Sequence, residues 1–296
     1  MASTARRTAA EIADEVVDSF SECADDRLRE LLQALVTHLH AFAREVRLTP
    51  REWGSAMQIL AATGHLTDKN RQEFILWSDV MGLSMAVDAL DDDRDPRTTE
   101  STVEGPFWAP DSPRRDYGQS IAERPGGMPL WMHGRVLDVD GNPIPNAELD
   151  IWQNGPDRLY AVQDPAAPRD HLRGRFLTRA DGRYALLGVR PTPYRIPDDG
   201  PVGAMLRVTG RQSWRPGHIH VAVSARGYRS LVTHIFDRDS DFLESDAVFA
   251  VKPSLIKRFE MRNPSDPERP ERLHDEPWCS AEVDFVLALQ GAGSAR

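Results

Sequence analysis

Proline and glycine are spread so unevenly along this 296-residue chain that they divide it into two different folding problems. Of 22 prolines only Pro50 and Pro96, and of 20 glycines only Gly54, Gly64 and Gly82, lie in the first hundred residues. Both residue types break helices and serve turns, so positions 1–100 are expected to form a helical domain and positions 101–296 a turn-rich one. Leu28, Leu31, Leu32, Leu35, Leu39 and Phe42 recur at helical spacing, as do Phe74, Trp77, Val80 and Met81. Thr49-Pro50 with Glu52 close behind has the form of a helix start: threonine as the cap, proline in the first turn. The acidic run from Asp91 to Asp95, followed by Pro96, reads as a solvated linker.

Beyond residue 101 short alternating runs are separated by turn signals. Trp131 to Val139 reads as a strand, Asp140-Gly141-Asn142-Pro143 as a turn, and Ala147 to Trp152 as the next strand. Ala147, Leu149 and Ile151 of that second strand share one face, while Glu148, Asp150 and Trp152 share the other. Arg183 to Val189, His218 to Ala225 and Ser230 to Asp237 supply further strands. The expected fold class is therefore α+β, a helical N-terminal part followed by an antiparallel β-sandwich.

Charge narrows the function classes. With 46 acidic and 36 basic residues the formal net charge is −10, which argues against a nucleic-acid binder. No apolar run approaches the ~18 residues of a membrane span. The first seven residues, Met1 to Arg7, carry no apolar signal core, and Cys23 and Cys279 suit a reducing compartment, so a cytoplasmic location is expected.

The segment that carries most chemistry is Arg215-Pro216-Gly217-His218-Ile219-His220-Val221-Ala222-Val223. On a strand His-x-His sets both imidazoles on one face, with Cα atoms ~6–7 Å apart, and leaves Ile219, Val221 and Val223 for the core. Two such ligands need companions, yet no cysteine lies nearby and no HExxH or CxxC motif occurs. Tyrosine is available instead: Tyr160 and Tyr194 both stand in irregular, turn-rich segments, where a side chain can be aimed at a site or can simply pack. A phenol with an ordinary pKa near ~10 ligates as phenolate only to a strong Lewis acid, a description that fits ferric iron and seldom zinc.

Taken together, these segments resemble the intradiol ring-cleavage dioxygenases over nearly the whole chain. The likeness rests on Thr102-Val103-Glu104-Gly105-Pro106-Phe107, Gly134-Arg135-Val136, Ala147 to Gln153, Leu159-Tyr160, Pro193-Tyr194 and the Arg215 to His220 segment. The resemblance implies one non-haem Fe(III) per chain, held by Tyr160, Tyr194, His218 and His220. It also implies that the axial ligand, Tyr194, gives way when an aromatic diol binds, and that dioxygen then cleaves the ring. Arg215 matches the family's active-site arginine; read from the residue alone it serves either the reaction or a salt bridge.

Substrate contacts are implied at Leu76 and Asp79, at Val103, Glu104, Gly105, Pro106 and Phe107, at Ile196 and Pro197, and at His234 and Val248. Around Leu76 and Asp79 the sequence looks more like the hydroxyquinol enzymes than the catechol or chlorocatechol ones, and Thr233-His234-Ile235-Phe236 points the same way. Leu76, Asp79, Val80, Leu83 and Val87 form a stripe on the last front helix. A carboxylate there needs a partner, supplied either by a third substrate hydroxyl or by a structural hydrogen bond. Glu104 departs from the family pattern, in which an apolar residue usually precedes Gly-Pro-Phe. Relatives pair as homodimers through the helical part. A competing resemblance links Gly134 to Ala147 with transthyretin-like and carboxypeptidase-regulatory modules, which scaffold without metal and do not require the tyrosines and paired histidines.

Overall fold

The computed structural model describes residues 7–68, 71–90 and 95–291. Most of the acidic run, positions 91–94, and positions 1–6 lie outside the described residues. The chain divides between Ala62 and Thr63 into two compact units.

The first unit contains α1 (Ala9–Asp18), α2 (Asp26–Glu45) and most of α3 (Pro50–Leu66). Its helix starts follow capping chemistry. Thr8 and Glu11 form a reciprocal capping box on α1, and Asp25 accepts from the Leu28 amide at the start of α2. At α3, Thr49 Oγ1 accepts from the Glu52 amide while the Glu52 carboxylate accepts from the Thr49 amide at 2.9 Å, the start that the sequence foretells. The apolar stripe of α2 is not core. Leu28, Leu31, Leu35, Leu39 and Phe42 are between 46% and 56% exposed, enough apolar surface to need an explanation.

The second unit holds the remaining helices, α4 (Glu73–Val80), α5 (Leu83–Leu90) and α6 (Pro201–Val208), with twelve strands among the described residues. In chain order these are β1 (Pro129–Asp138), β2 (Glu148–Gln153), β3 (Arg173–Leu177), β4 (Arg183–Val189), β5 (Tyr194–Arg195), β6 (Trp214–Arg215), β7 (His218–Ser224), β8 (Leu231–Asp237), β9 (Ile256–Lys257), β10 (Glu260–Arg262), β11 (Trp278–Glu282) and β12 (Phe285–Leu287). One sheet runs β10-β11-β1-β12, with β4 also on β1. The other runs β3-β2-β7-β8-β9, and β5 and β6 form a small ribbon.

The sheets are mixed, which corrects the expectation of a purely antiparallel sandwich. β1 pairs in parallel with β11 and β12, and β8 in parallel with β9. β1 is separated from β11 and β12, and β8 from β9, by long connections, which permit parallel pairing, whereas the short turn from β7 to β8 permits only an antiparallel neighbour.

Between the sheets lies the main core. Leu130, Met132 and Val136 of β1 meet Leu149 and Ile151 of β2 and Ile219, Val221 and Val223 of β7, all fully buried. Burying each such side chain contributes ~1.5–3 kcal/mol. The alternation therefore sends Trp152, His218 and His220 to the opposite face of the second sheet. A second apolar cluster covers that face, drawing Leu76 and Val80 from α4, Val202 and Leu206 from α6, and Ala247, Val248 and Ala250 from the segment after β8.

The stripe read across Leu76 to Val87 is broken. Gly82 adopts φ +74°, a left-handed conformation that ends α4 and starts α5 in a new direction. Leu76, Asp79 and Val80 are buried as expected, but Leu83 and Val87 are exposed.

Candidate metal centre

His218 and His220 occupy the β7 face that the alternation selects, and each is about 1% exposed. The Pro216 carbonyl, which can only accept, lies 2.7 Å from His218 Nδ1. Nδ1 must then carry the proton, leaving Nε2 as a bare lone pair. That lone pair sits 3.2 Å from His220 Nε2 and 3.4 Å from the Tyr160 hydroxyl, which is itself 3.0 Å from His220 Nε2. Three donor atoms thus converge on one point from β7 and from the loop after β2.

Tyr194 enters from β5. Its ring lies edge-on to Tyr160, with centroids 5.4 Å apart, and 5.5 Å from the ring of His218. Arg215 Nη1 approaches the Tyr194 hydroxyl at 3.4 Å, because Tyr194 and Arg215 are register partners in the β5–β6 ribbon. Where the sequence shows only a turn-rich segment, this short ribbon fixes Tyr194 beside the arginine.

The electrostatics suit metal ligation. Burial above all, reinforced by the Arg215 charge, holds the His218 and His220 imidazoles well below their ordinary range, so both are neutral at pH 7. Burial and then the neighbouring Tyr194 push the Tyr160 phenol well above its ordinary value, and Arg215 opposes them only in part. A phenolate at Tyr160 therefore needs a cation beside it. Burial would lower the Arg215 pKa, but the Asp246 carboxylate more than offsets it and raises it above the ordinary arginine value.

A third imidazole joins the cluster. His234 of β8 is the register partner of His220, and its ligating atom lies within 4.8 Å of those of His218 and His220. Its Nδ1 meets the Thr102 hydroxyl at 2.6 Å, while Nε2 is buried without a protein partner. The residues present fit a metal ion: three buried imidazoles and two tyrosines, with a ring nitrogen left unsatisfied.

Most of the proposed pocket residues gather here. Phe107 stacks on Tyr160 at 4.5 Å, and Leu76, Ile196 and Val248 are buried in the same apolar cluster. Gly105 takes φ +75°, and a Cβ there would stand 3.3 Å from His220 Cε1, so glycine lets this loop lie against the imidazole. Val103, Pro106 and Pro197 are half-buried flanks of these segments. Glu104 instead faces solvent on the side of Asp150, and partial burial and the Asp150 carboxylate raise its pKa.

Asp79 is 4% exposed and accepts a 2.6 Å hydrogen bond from Ser84. Burial raises its pKa, against the Ser84 bond and the Arg215 charge. Two residues at the site carried no signal in the sequence. Ser84 is an ordinary helix serine, and Asp246 is one of 46 acidic residues with no motif around it. A buried arginine demands a carboxylate, but spacing along the chain does not say which.

Comparison with known proteins settles the family. The model described as "Dioxygenase" matches residues 103–291, and "Catechol dioxygenase N terminus" matches residues 25–99. The chain belongs to the intradiol dioxygenase family. Among the relatives of this dioxygenase, the hydroxyquinol 1,2-dioxygenase of Nocardioides simplex is 46% identical over 281 residues, 94% of each chain. That of Rhodococcus opacus is 47% identical over 280 residues, covering 94% of this chain and 93% of the relative. The crystal structure of hydroxyquinol 1,2-dioxygenase from Pseudomonas putida DLL-E4 superposes with a TM-score of 0.89 at 44% identity, covering 95% of this chain and 99% of that one. Membership sets aside the scaffold-module reading, since both family models span the chain and the paired histidines and tyrosines converge.

Proposed function

We propose that this dioxygenase cleaves hydroxyquinol (1,2,4-trihydroxybenzene) between its adjacent hydroxyl-bearing carbons, with both atoms of dioxygen entering a hydroxymuconate or maleylacetate product. The observation that carries this reading is the convergence of the Tyr160 hydroxyl with two neutral imidazole nitrogens within 3.0–3.4 Å. One ferric ion per chain would be held by Tyr160, Tyr194, His218 and His220, with His234 beside them. Bound there, the ion supplies the Lewis acidity that ionises the phenols and the redox partner that opens the diol to dioxygen.

The protein's own work is binding and orientation. Pro216 fixes the His218 tautomer, so that a lone pair and not a proton faces the site. Phe107, Ile196 and Val248 exclude water from it. Arg215 holds a permanent positive charge against the Tyr194 oxygen and against negative charge developing on the ring. Asp79, on the buried face of α4, is the group that would read a third hydroxyl.

Support for the substrate comes from relatives of that name at 44–47% identity over most of the chain. A homodimer joined through positions 1–100 is the natural occupant for the exposed α2 stripe. No described helix is long and apolar enough to cross a membrane. The cytoplasmic location proposed for the enzyme rests on its two cysteines, which suit a reducing compartment. The test is iron content and steady-state assays on hydroxyquinol, catechol and 4-chlorocatechol in parallel. A folded protein free of iron overturns the reading, and a preference for catechol or chlorocatechol overturns its substrate.

A further inference from the structure

The Arg215 guanidinium is held on two sides. Its Nε and Nη2 edge meets the two oxygens of Asp246 at 3.0 and 3.4 Å, and the remaining Nη1 meets the Tyr194 hydroxyl at 3.4 Å. Arg215 and Asp246 side chains are 3% and 2% exposed, so the pair is sealed from water.

Asp246 is itself anchored. Its Oδ2 accepts from the Ala250 amide at 3.0 Å and its Oδ1 from the Val248 amide at 3.4 Å. The adjoining Ala247 amide donates to the Trp214 carbonyl, which ties the segment to β6 next to Arg215. A carboxylate fixed by backbone donors on one side can fix a planar fork on the other.

From this geometry we infer that Asp246 is a positioning residue: it clamps one edge of Arg215 so that Nη1 is presented to the Tyr194 phenol oxygen, and thereby sets how readily Tyr194 leaves the metal when substrate arrives. The inference rests on the proposed ferric site and adds to it a residue outside the ligand set. Without the clamp, the guanidinium keeps its charge but loses its aim, and Asp79, close enough to feel that charge, competes for it.

The experiment compares wild type, Asp246→Asn, Asp246→Glu, Arg215→Lys and the Arg215→Lys/Asp246→Asn double variant, each loaded with iron. Asp246→Asn lowers kcat by roughly 10–100-fold with little change in KM, and the double variant is no slower than Arg215→Lys alone, because Asp246 acts through Arg215. The visible tyrosinate-to-iron absorption band of resting Asp246→Asn shifts in the same direction as that of Arg215→Lys, a change that a purely structural role would not produce. Asp246→Glu keeps the charge that a buried arginine needs for folding but moves the carboxylate by one methylene, so it shows the same shift at a smaller loss of kcat.

Losses that multiply in the double variant, or a wild-type band in both Asp246 variants, overturn the inference. If Asp246→Asn fails to fold, Asp246→Glu decides alone: a wild-type band and kcat there overturn it. Iron-loaded wild type that cleaves no diol overturns the proposed function but not this inference, which the band still tests. Wild type that binds no iron overturns both.

Discussion

His218 donates its Nδ1 proton to the Pro216 carbonyl, two residues back along the chain, across 2.7 Å. That bond decides which face of the imidazole is reactive, since only Nε2 then has a lone pair to offer toward His220 and Tyr160. Proline at 216 restricts the backbone that carries this carbonyl, because its ring fixes φ.

Tyr160→Phe removes one donor atom and almost no volume. Compared with wild type when both are iron-free, the variant is expected to keep its Tm within about 2 °C, since only a single buried hydroxyl is lost. Its iron content and red-to-purple colour should fall together. Metal analysis with visible absorption checks this, and undiminished colour would remove Tyr160 from the ligand set.

Gly217 joins the arginine to the histidines, and it stands against the Tyr194 segment. A Cβ at this position would lie 2.7 Å from the Pro191 carbonyl oxygen, a backbone atom that cannot swing aside. Gly217→Ala should therefore push the 191–194 segment away from β7 and lower iron retention on dialysis. Circular dichroism should still report the wild-type sheet content. Full iron retention would mean that the two segments separate without disturbing Tyr194.

Asp79 should select substrate. Asp79→Ala is expected to lower kcat/KM for hydroxyquinol by roughly 10–100-fold, the ~1.5–3 kcal/mol of a hydrogen bond to a charged group. Catechol turnover should be unchanged or improved. The comparison is two-by-two, wild type and variant on both substrates. Equal losses would show that the carboxylate serves Ser84, its 2.6 Å partner, and the junction of α4 with α5 instead of a substrate hydroxyl.

The two cysteines should differ in reactivity. Cys279 is fully buried on β11, and burial pushes its thiol up to about 12, whereas Cys23 is partly exposed. At pH 8 iodoacetamide should label Cys23 alone in the native protein and both residues in denaturant, as read by mass spectrometry of the peptides. Labelling of native Cys279 would show that β11 opens on the timescale of the reaction.

By itself the sequence determined whatever depends on near neighbours along the chain. The scarcity of proline and glycine before residue 100 made that part helical, and Thr49 with Glu52 placed the start of α3. Period-two alternation put His218 and His220 on one face and Ile219 and Val221 on the other, because the pleat of a strand is a local property. The proposed ligand set rests on family likeness, not on periodicity. Tertiary structure alone decided the rest. Gly82 broke one expected helix into two, and strands distant in sequence paired in parallel with β1 and β8. Sheet register set His234 beside His220, and the fold brought Asp246 to Arg215 from 31 positions away. Such partners leave no mark on their own segment. A buried charge fixes only that some opposite charge must meet it, and the packing of the whole chain chooses which one.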